Sequence, residues 1–303
     1  MNLESEIRDG YLVSAEMKKV WAVQIDMLKK LLQVCDKYGL RIFADGGTLL
    51  GTVRHKGYIP WDDDIDMVML RDDYDRLVRV APKEFDHPYF FQCGYTEKYY
   101  PRGHAQLRMD GTTAILANPN FVNTHQGIFV DIFPYDAVPD NTIEMEKQIE
   151  ERDRLMGIME HSGFFDWLHP FRIINKFNFS KLYSEFEDVF RRVKVNDNKY
   201  VSCFSFIIDT KHFLRDKHWY DETVYFPFED LRMPVPGCYH EILSLQYGDY
   251  MTPVKAPSYH GGFWKLDPER SYLEYLPELR MYCNKERRRS YIRRIKKVMK
   301  KLL

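Results

Sequence analysis

The stretch "GGTLLGTVRHKGYIPWDDDIDMVM", residues 46–69, constrains the fold more than any other: Asp62, Asp63, Asp64 and Asp66 run directly into a segment that reads as a buried strand. Two carboxylates about 4 Å apart repel by roughly 4 kcal/mol at an effective dielectric of ~20, so a fold that gathers them calls for a cation or a proton there. Side chains alternate faces along a strand, which puts Asp64 and Asp66 on one side with Val68, and Ile65, Met67 and Met69 on the other. A third carboxylate, Asp131 in "IFVDIF", has the same apolar flanks. An adjacent strand would carry it to the same point.

The surrounding pattern supplies such a sheet. Residues 14–38 place Met17, Val20, Trp21, Met27, Leu28, Leu31 and Leu32 at helical spacing, and Gly39 supplies the stop. "LRIFAD" reads as a short strand, Gly46 and Gly47 as a turn into the helix "TLLGTVRH", and "DDIDMVML" as the acidic strand. Asp72 or Asp73 is expected to cap the next helix, followed by three strands in "PYFFQCGY", "HAQLRMDGTTAIL" and "GIFVDIFPYDAV". The expected fold class is α+β: a mixed sheet flanked by helices over residues 1–140, then a mainly helical or irregular lobe over 141–275 packed on it. Residues 276–303 are set apart as a basic amphipathic helix.

Three carboxylates facing one point form a hard-cation site suited to Mg²⁺ or Mn²⁺. A glycine-rich turn at a helix N-terminus offers backbone N–H groups to phosphates, so Gly46, Gly47 and Thr48 are candidates for holding a nucleotide. Asp64, Asp66 and Asp131 are then the catalytic and metal-binding residues, and phosphoryl chemistry is their natural use. An EF-hand fits poorly, because Met67 stands at loop position six, where glycine is required. A D-x-D glycosyltransferase is the rival enzyme, although its motif usually follows a nucleotide-binding region of roughly a hundred residues. A non-catalytic, membrane-docked glycan-assembly protein is the third reading. Asp62 and Asp63 suit a solvated acidic loop.

Formal net charge is −1 over 303 residues, which argues against a nucleic-acid partner. The five cysteines are dispersed without a C-x-x-C, as in a reducing compartment. The opening "MNLESEIRDG" has no apolar core, and no run of about 18 apolar residues occurs. A cytoplasmic protein is expected.

The segment "GGTLLGTVRHKGYIPWDDDIDMVMLRDDYDRL" resembles the signature of the LicD family, phosphorylcholine transferases that also resemble fukutin and fukutin-related protein. "QLRMDGTT", "GIFVDIFPYD", "FEDLRMPVPGCYHEILSLQYGDYM" and "SYHGG" are similar to later family blocks, in the same order, so the likeness runs from about residue 25 to 262. It implies a nucleotidyltransferase-like fold and transfer of a phospho-alcohol, typically phosphocholine from CDP-choline, to a hydroxyl of a cell-surface glycan or teichoic-acid precursor, with CMP leaving. Asp64 and Asp66 match the family's metal-binding pair, whereas the zinc cysteines of fukutin-related protein have no counterpart here.

Arg54, His55 and Lys56 follow the glycine-rich helix, where a cation could hold a diphosphate, and Arg108 is expected on a strand near the site. His125, Asp136, Glu229 and His260 are lesser candidates. Trp61, Tyr95, Tyr99 and Tyr100 are material for an aromatic cage around a quaternary ammonium. The tail "KERRRSYIRRIKKVMKKLL" spaces Ile292, Ile295, Met299 and Leu302 as a basic amphipathic helix, which would dock peripherally on the inner face of a membrane beside a lipid-linked acceptor.

Overall fold

Helix α1 (Ala15–Tyr38) forms where the hydrophobic period places it, with Val20, Trp21, Ile25, Met27, Leu28 and Leu31 all buried. Each such side chain contributes about 1.5–3 kcal/mol through burial. Ser14 caps the start, its Oγ accepting from the Met17 N–H at 3.1 Å, and Gly39 closes the end in the left-handed region at φ 59°. The computed structural model describes residues 1–98, 100–116, 124–168, 178–205, 213–254 and 262–283, with Lys285, Arg289 and Ile292. Tyr99, His260 and most of the basic tail lie outside the described residues.

Before α1, β1 (Glu6–Arg8) and β2 (Tyr11–Val13) make a hairpin. After it come β3 (Phe43–Ala44), α2 (Gly46–His55), β4 (Asp66–Leu70), α3 (Arg71–Glu84) and β5 (Tyr89–Gln92). Then follow β6 (Ala105–Met109), β7 (Thr113–Leu116) and β8 (Phe129–Ala137). The helical stretch is α4 (Thr142–Leu168) and α5 (Phe179–Arg191); β9 (Tyr200–Ser202), β10 (Arg215–Asp216), β11 (Thr223–Phe228), β12 (Leu231–Pro236), α6 (Tyr239–Tyr247) and β13 (Phe263–Asp267) follow, and residues 272–283 are helical again.

The nine-residue β8 is the axis of a seven-stranded mixed sheet. One edge pairs in parallel with β4, which continues antiparallel to β3. Along the other edge β8 forks: its first half pairs antiparallel with β6 and through it β5, its second half with β9 and then β10. The sheet is thus mixed, as expected, but it takes two of its strands from beyond residue 195.

Several local expectations are corrected. Residues 196–275, expected to be mostly helical or irregular, also carry β9, β10, the β11–β12 hairpin and β13 among the described residues. "HAQLRMDGTTAIL" is two strands, broken at Gly111 (φ 73°), with β6 in the main sheet and β7 paired to β13. The N-cap of α3 is Leu70, so Asp72 and Asp73 fall inside its first turn, where their charge favours the helix dipole. The acidic strand begins at Asp66, which leaves Asp64 in the preceding loop.

The helical stretch keeps its own apolar cluster, including Leu155, Met159, Tyr183, Phe186 and Phe190. A buried ion network fastens it to the sheet: Arg71 Nε and Nη2 donate to Asp136 at 2.5 and 3.0 Å, and Arg71 Nη1 reaches Glu187 of α5 at 3.2 Å.

Candidate active site

Asp66 opens β4 and Asp131 sits in β8 as its partner in the parallel register, so neighbouring strands present both carboxylates on one face. The Asp131 N–H donates to the Ile65 carbonyl at 2.9 Å, extending the pairing one residue into the loop. In that loop Asp62, Asp63 and Asp64 bring carboxylate oxygens within 4.8 Å of one another, the tightest such acidic group among the described residues. All three are half-buried, so Asp62 and Asp63 are not the solvated loop that composition suggests. Helix α1 holds the loop by its backbone, with Trp21 Nε1 donating to the Asp62 carbonyl at 3.1 Å and Gln24 Nε2 to the Asp63 carbonyl at 2.9 Å.

The first turn of α2 lies against this cluster. Gly46 has φ +52°, a left-handed conformation, and a Cβ there would come within 3.3 Å of Asp66 Oδ2. A Cβ on Gly47 would meet Asp62 Oδ2 at 2.6 Å. The glycine pair therefore lets two carboxylates close on a helix N-terminus whose N–H groups carry partial positive charge. Thr48 is buried beneath them, its Oγ1 accepting from the Asp66 N–H at 2.9 Å, so its hydroxyl positions the strand and does not face a phosphate.

Burial first, and then the charges of Asp62, Asp63 and Asp131, push Asp64 well above the usual carboxylate range. Asp66 is likewise pushed up, by burial and by Asp64, Asp131 and Asp62. Asp131 goes the other way: although burial opposes it, hydrogen bonds from His104 and Gln106 and the charges of His104 and Arg102 hold it low. An oxygen-only donor set of crowded carboxylates fits a hard divalent cation such as Mg²⁺ or Mn²⁺. Asp62, Asp63 and Asp64 lie close enough to share such an ion, and Asp66 and Asp131, paired on the neighbouring strands, are the further carboxylates that could join them.

The other candidates divide. Arg54 and His55 lie in the last turn of α2, about 12 Å along the helix from Gly46 at 1.5 Å per residue. Arg54 Nη1 donates to the Tyr250 carbonyl at 2.7 Å, and His55 Nε2 faces Asp9 at 3.2 Å. Burial lowers the pKa of both. Lys56 is the left-handed C-cap of the same helix (φ 57°). These three stand at the opposite end of α2 from the glycine turn.

Arg108 is a core residue: it donates to Gln92 Oε1 at 2.5 Å, the Gly127 carbonyl at 2.6 Å and Gln106 Oε1 at 2.6 Å, and burial lowers its pKa to about 10. It is not placed to meet a phosphate. His125 is buried against Phe90 and Asp110, Asp136 is the partner of Arg71, and Glu229 takes Arg8 in a two-pronged pair. Those three are structural. Among the described residues Tyr95 and Tyr100 do not make a cage, since Tyr100 is buried with its hydroxyl on Gln106 and Tyr95 packs edge-on against Tyr183 of α5. Trp61 adjoins the acidic loop, between Tyr11 and His55.

Residues that sequence reasoning passed over complete the surroundings. Tyr247, at the end of α6, is 40% exposed, and its hydroxyl lies 4.0 Å from the position a Gly46 Cβ would take. Burial of that hydroxyl, then Asp45, Asp66 and Asp62, raise its pKa. Beneath it, Asp45 accepts from Arg215 Nη1 at 2.5 Å and from the Tyr135 hydroxyl at 2.6 Å. Arg215 Nη2 continues to Gln246 at 2.9 Å, and Gln246 donates to the Tyr247 hydroxyl at 3.2 Å. The glycine turn, β8, β10 and α6 are tied together at this point. Nothing local in the sequence marks Tyr247, because the contact with Gly46 is made across about 200 residues of chain.

Residues 39–164 match the LicD/FKTN/FKRP family, nucleotidyltransferase domain. Over 239 residues the chain is 29% identical to the lipopolysaccharide cholinephosphotransferase LicD of Haemophilus influenzae, covering 76% of this chain and 89% of that protein. Uncharacterised proteins of Rickettsia prowazekii and Rickettsia typhi share 36% and 33% identity over 73 residues, 24% of this chain and 25% and 22% of theirs. The matched domain contains the glycine turn, the acidic loop, β4 and β8.

Proposed function

We propose that this chain, whose residues 39–164 match the LicD/FKTN/FKRP nucleotidyltransferase domain, transfers phosphocholine, or a similar phospho-alcohol, from a CDP-alcohol such as CDP-choline to a hydroxyl of a cell-surface glycan, with release of CMP. Support comes above all from one arrangement: Asp66 and Asp131 paired across parallel strands beneath the glycine-opened N-terminus of α2. Such a place could receive a pyrophosphate on backbone N–H groups, next to carboxylates that would hold Mg²⁺ or Mn²⁺. When bound, the cation supplies neutralisation of phosphate charge and a lowered pKa at a coordinated oxygen.

The N–H groups of the first α2 turn orient the pyrophosphate, and Asp64, Asp66 and Asp131 fix the site's geometry. The acceptor hydroxyl oxygen forms a bond to the phosphocholine phosphorus as the pyrophosphate bond to CMP breaks, and the hydroxyl proton departs to a base. Positioning carries most of the rate in such displacements. The relative's lipopolysaccharide substrate favours a lipid-borne acceptor. A peripheral position at the inner membrane face, through the basic residues 285–303, suits that acceptor; among the described residues no helix is long and apolar enough to cross a membrane.

Incubation of the purified protein with labelled CDP-choline, a lipopolysaccharide acceptor and Mg²⁺ should release CMP and label the glycan. Chelation or Asp66→Asn should stop both. Turnover of UDP-sugars in place of CDP-choline would overturn the reading in favour of a glycosyltransferase.

A further inference from the structure

Resting on the metal site proposed above, we infer that His104 and Gln106 are positioning residues that aim one oxygen of Asp131 at the cation. Both converge on the same atom: His104 Nε2 lies 3.1 Å and Gln106 Nε2 2.6 Å from Asp131 Oδ1. All three side chains are buried, so neither contact is a passing surface encounter. Gln106 is the cross-strand partner of Asp131 in the antiparallel β6–β8 pairing, a placement fixed by backbone.

The amide orientation is also fixed. Gln106 Oε1 accepts from Arg108 Nη2 at 2.6 Å and from the Tyr100 hydroxyl at 3.0 Å, and these two donors force the NH₂ end toward Asp131. Arg108 is held in turn by Gln92 and the Gly127 carbonyl. With Oδ1 occupied by two donors, rotation of the carboxylate is blocked and Oδ2 is the atom left to ligate. Outer partners of this kind set ligand direction, and their loss costs 10–100-fold in metal affinity. Arg108, a residue with no path to a phosphate, thus acts on the site through Gln106.

The test is Mn²⁺ binding to the full chain, by calorimetry and by the electron-spin signal of free Mn²⁺, alongside thermal unfolding without metal. Gln106→Leu and His104→Leu should each weaken Mn²⁺ roughly 10–100-fold, whereas His104→Gln, which can keep a donor near the same place, should recover most of the affinity. Gln106→Leu also strands Arg108, so the His104 pair carries the result if that variant folds poorly. Folded variants that bind Mn²⁺ like wild type, or His104→Gln no better than His104→Leu, would overturn the inference and leave the metal site standing. Wild-type protein that binds no Mn²⁺ would overturn both.

Discussion

Substituting Gly47 by alanine separates what the glycine turn does for stability from what it does for chemistry. Gly47 has an ordinary helical backbone, so alanine gains about 1 kcal/mol of helix propensity. The new Cβ would fall 2.6 Å from Asp62 Oδ2, and ordinary contact begins near 3.4 Å. The carboxylate must therefore retreat by 3.4 − 2.6, about 0.8 Å, and being a side-chain end it can do so without unfolding anything. A displacement of that order within a catalytic constellation costs up to about 10²-fold. We expect a melting temperature within roughly 3 °C of wild type, with kcat/KM for CDP-choline down roughly 10–100-fold and Mn²⁺ binding weakened. Unchanged turnover and Mn²⁺ affinity in Gly47→Ala would refute the placement of Asp62 in the site; a loss of several kcal/mol in stability would refute the claim that only a carboxylate must move.

Asp66→Asn removes one charge from a crowded acidic group, so in the absence of metal the variant should melt higher than wild type at neutral pH while losing stabilisation by Mn²⁺, both readable by differential scanning fluorimetry. Asp136→Asn weakens the buried pair with Arg71 and should cost about 3 kcal/mol in urea unfolding, with Mn²⁺ affinity in the surviving native protein unchanged. Burial lowers the His125 pKa to about 4 from an ordinary value near 6.5. The folded state thus prefers the neutral ring, and its contribution is whole above pH 6.5 and lost as pH falls toward 4, about 3 kcal/mol at most. His125→Phe should flatten that part of the stability–pH curve, measured by urea midpoints between pH 7 and 4.

Sequence alone determined the elements whose signals are local. The period of α1, the stop at Gly39, the glycine-opened start of α2 and the apolar strands around Asp66 and Asp131 follow from spacing and backbone preference, and with them the α+β class. The family signature lies in that same stretch. Tertiary structure decided what is made between distant segments. That Arg108 supports Gln106 from the core, that His104 and Gln106 share one oxygen of Asp131, and that Tyr247 of α6 leans over Gly46 depend on which strands pair and which helix covers their ends. A polar side chain in sequence carries no mark of the partner that will satisfy it; pairing register and burial assign one, and so separate structural ion pairs such as Arg71–Asp136 from the acids gathered beneath α2.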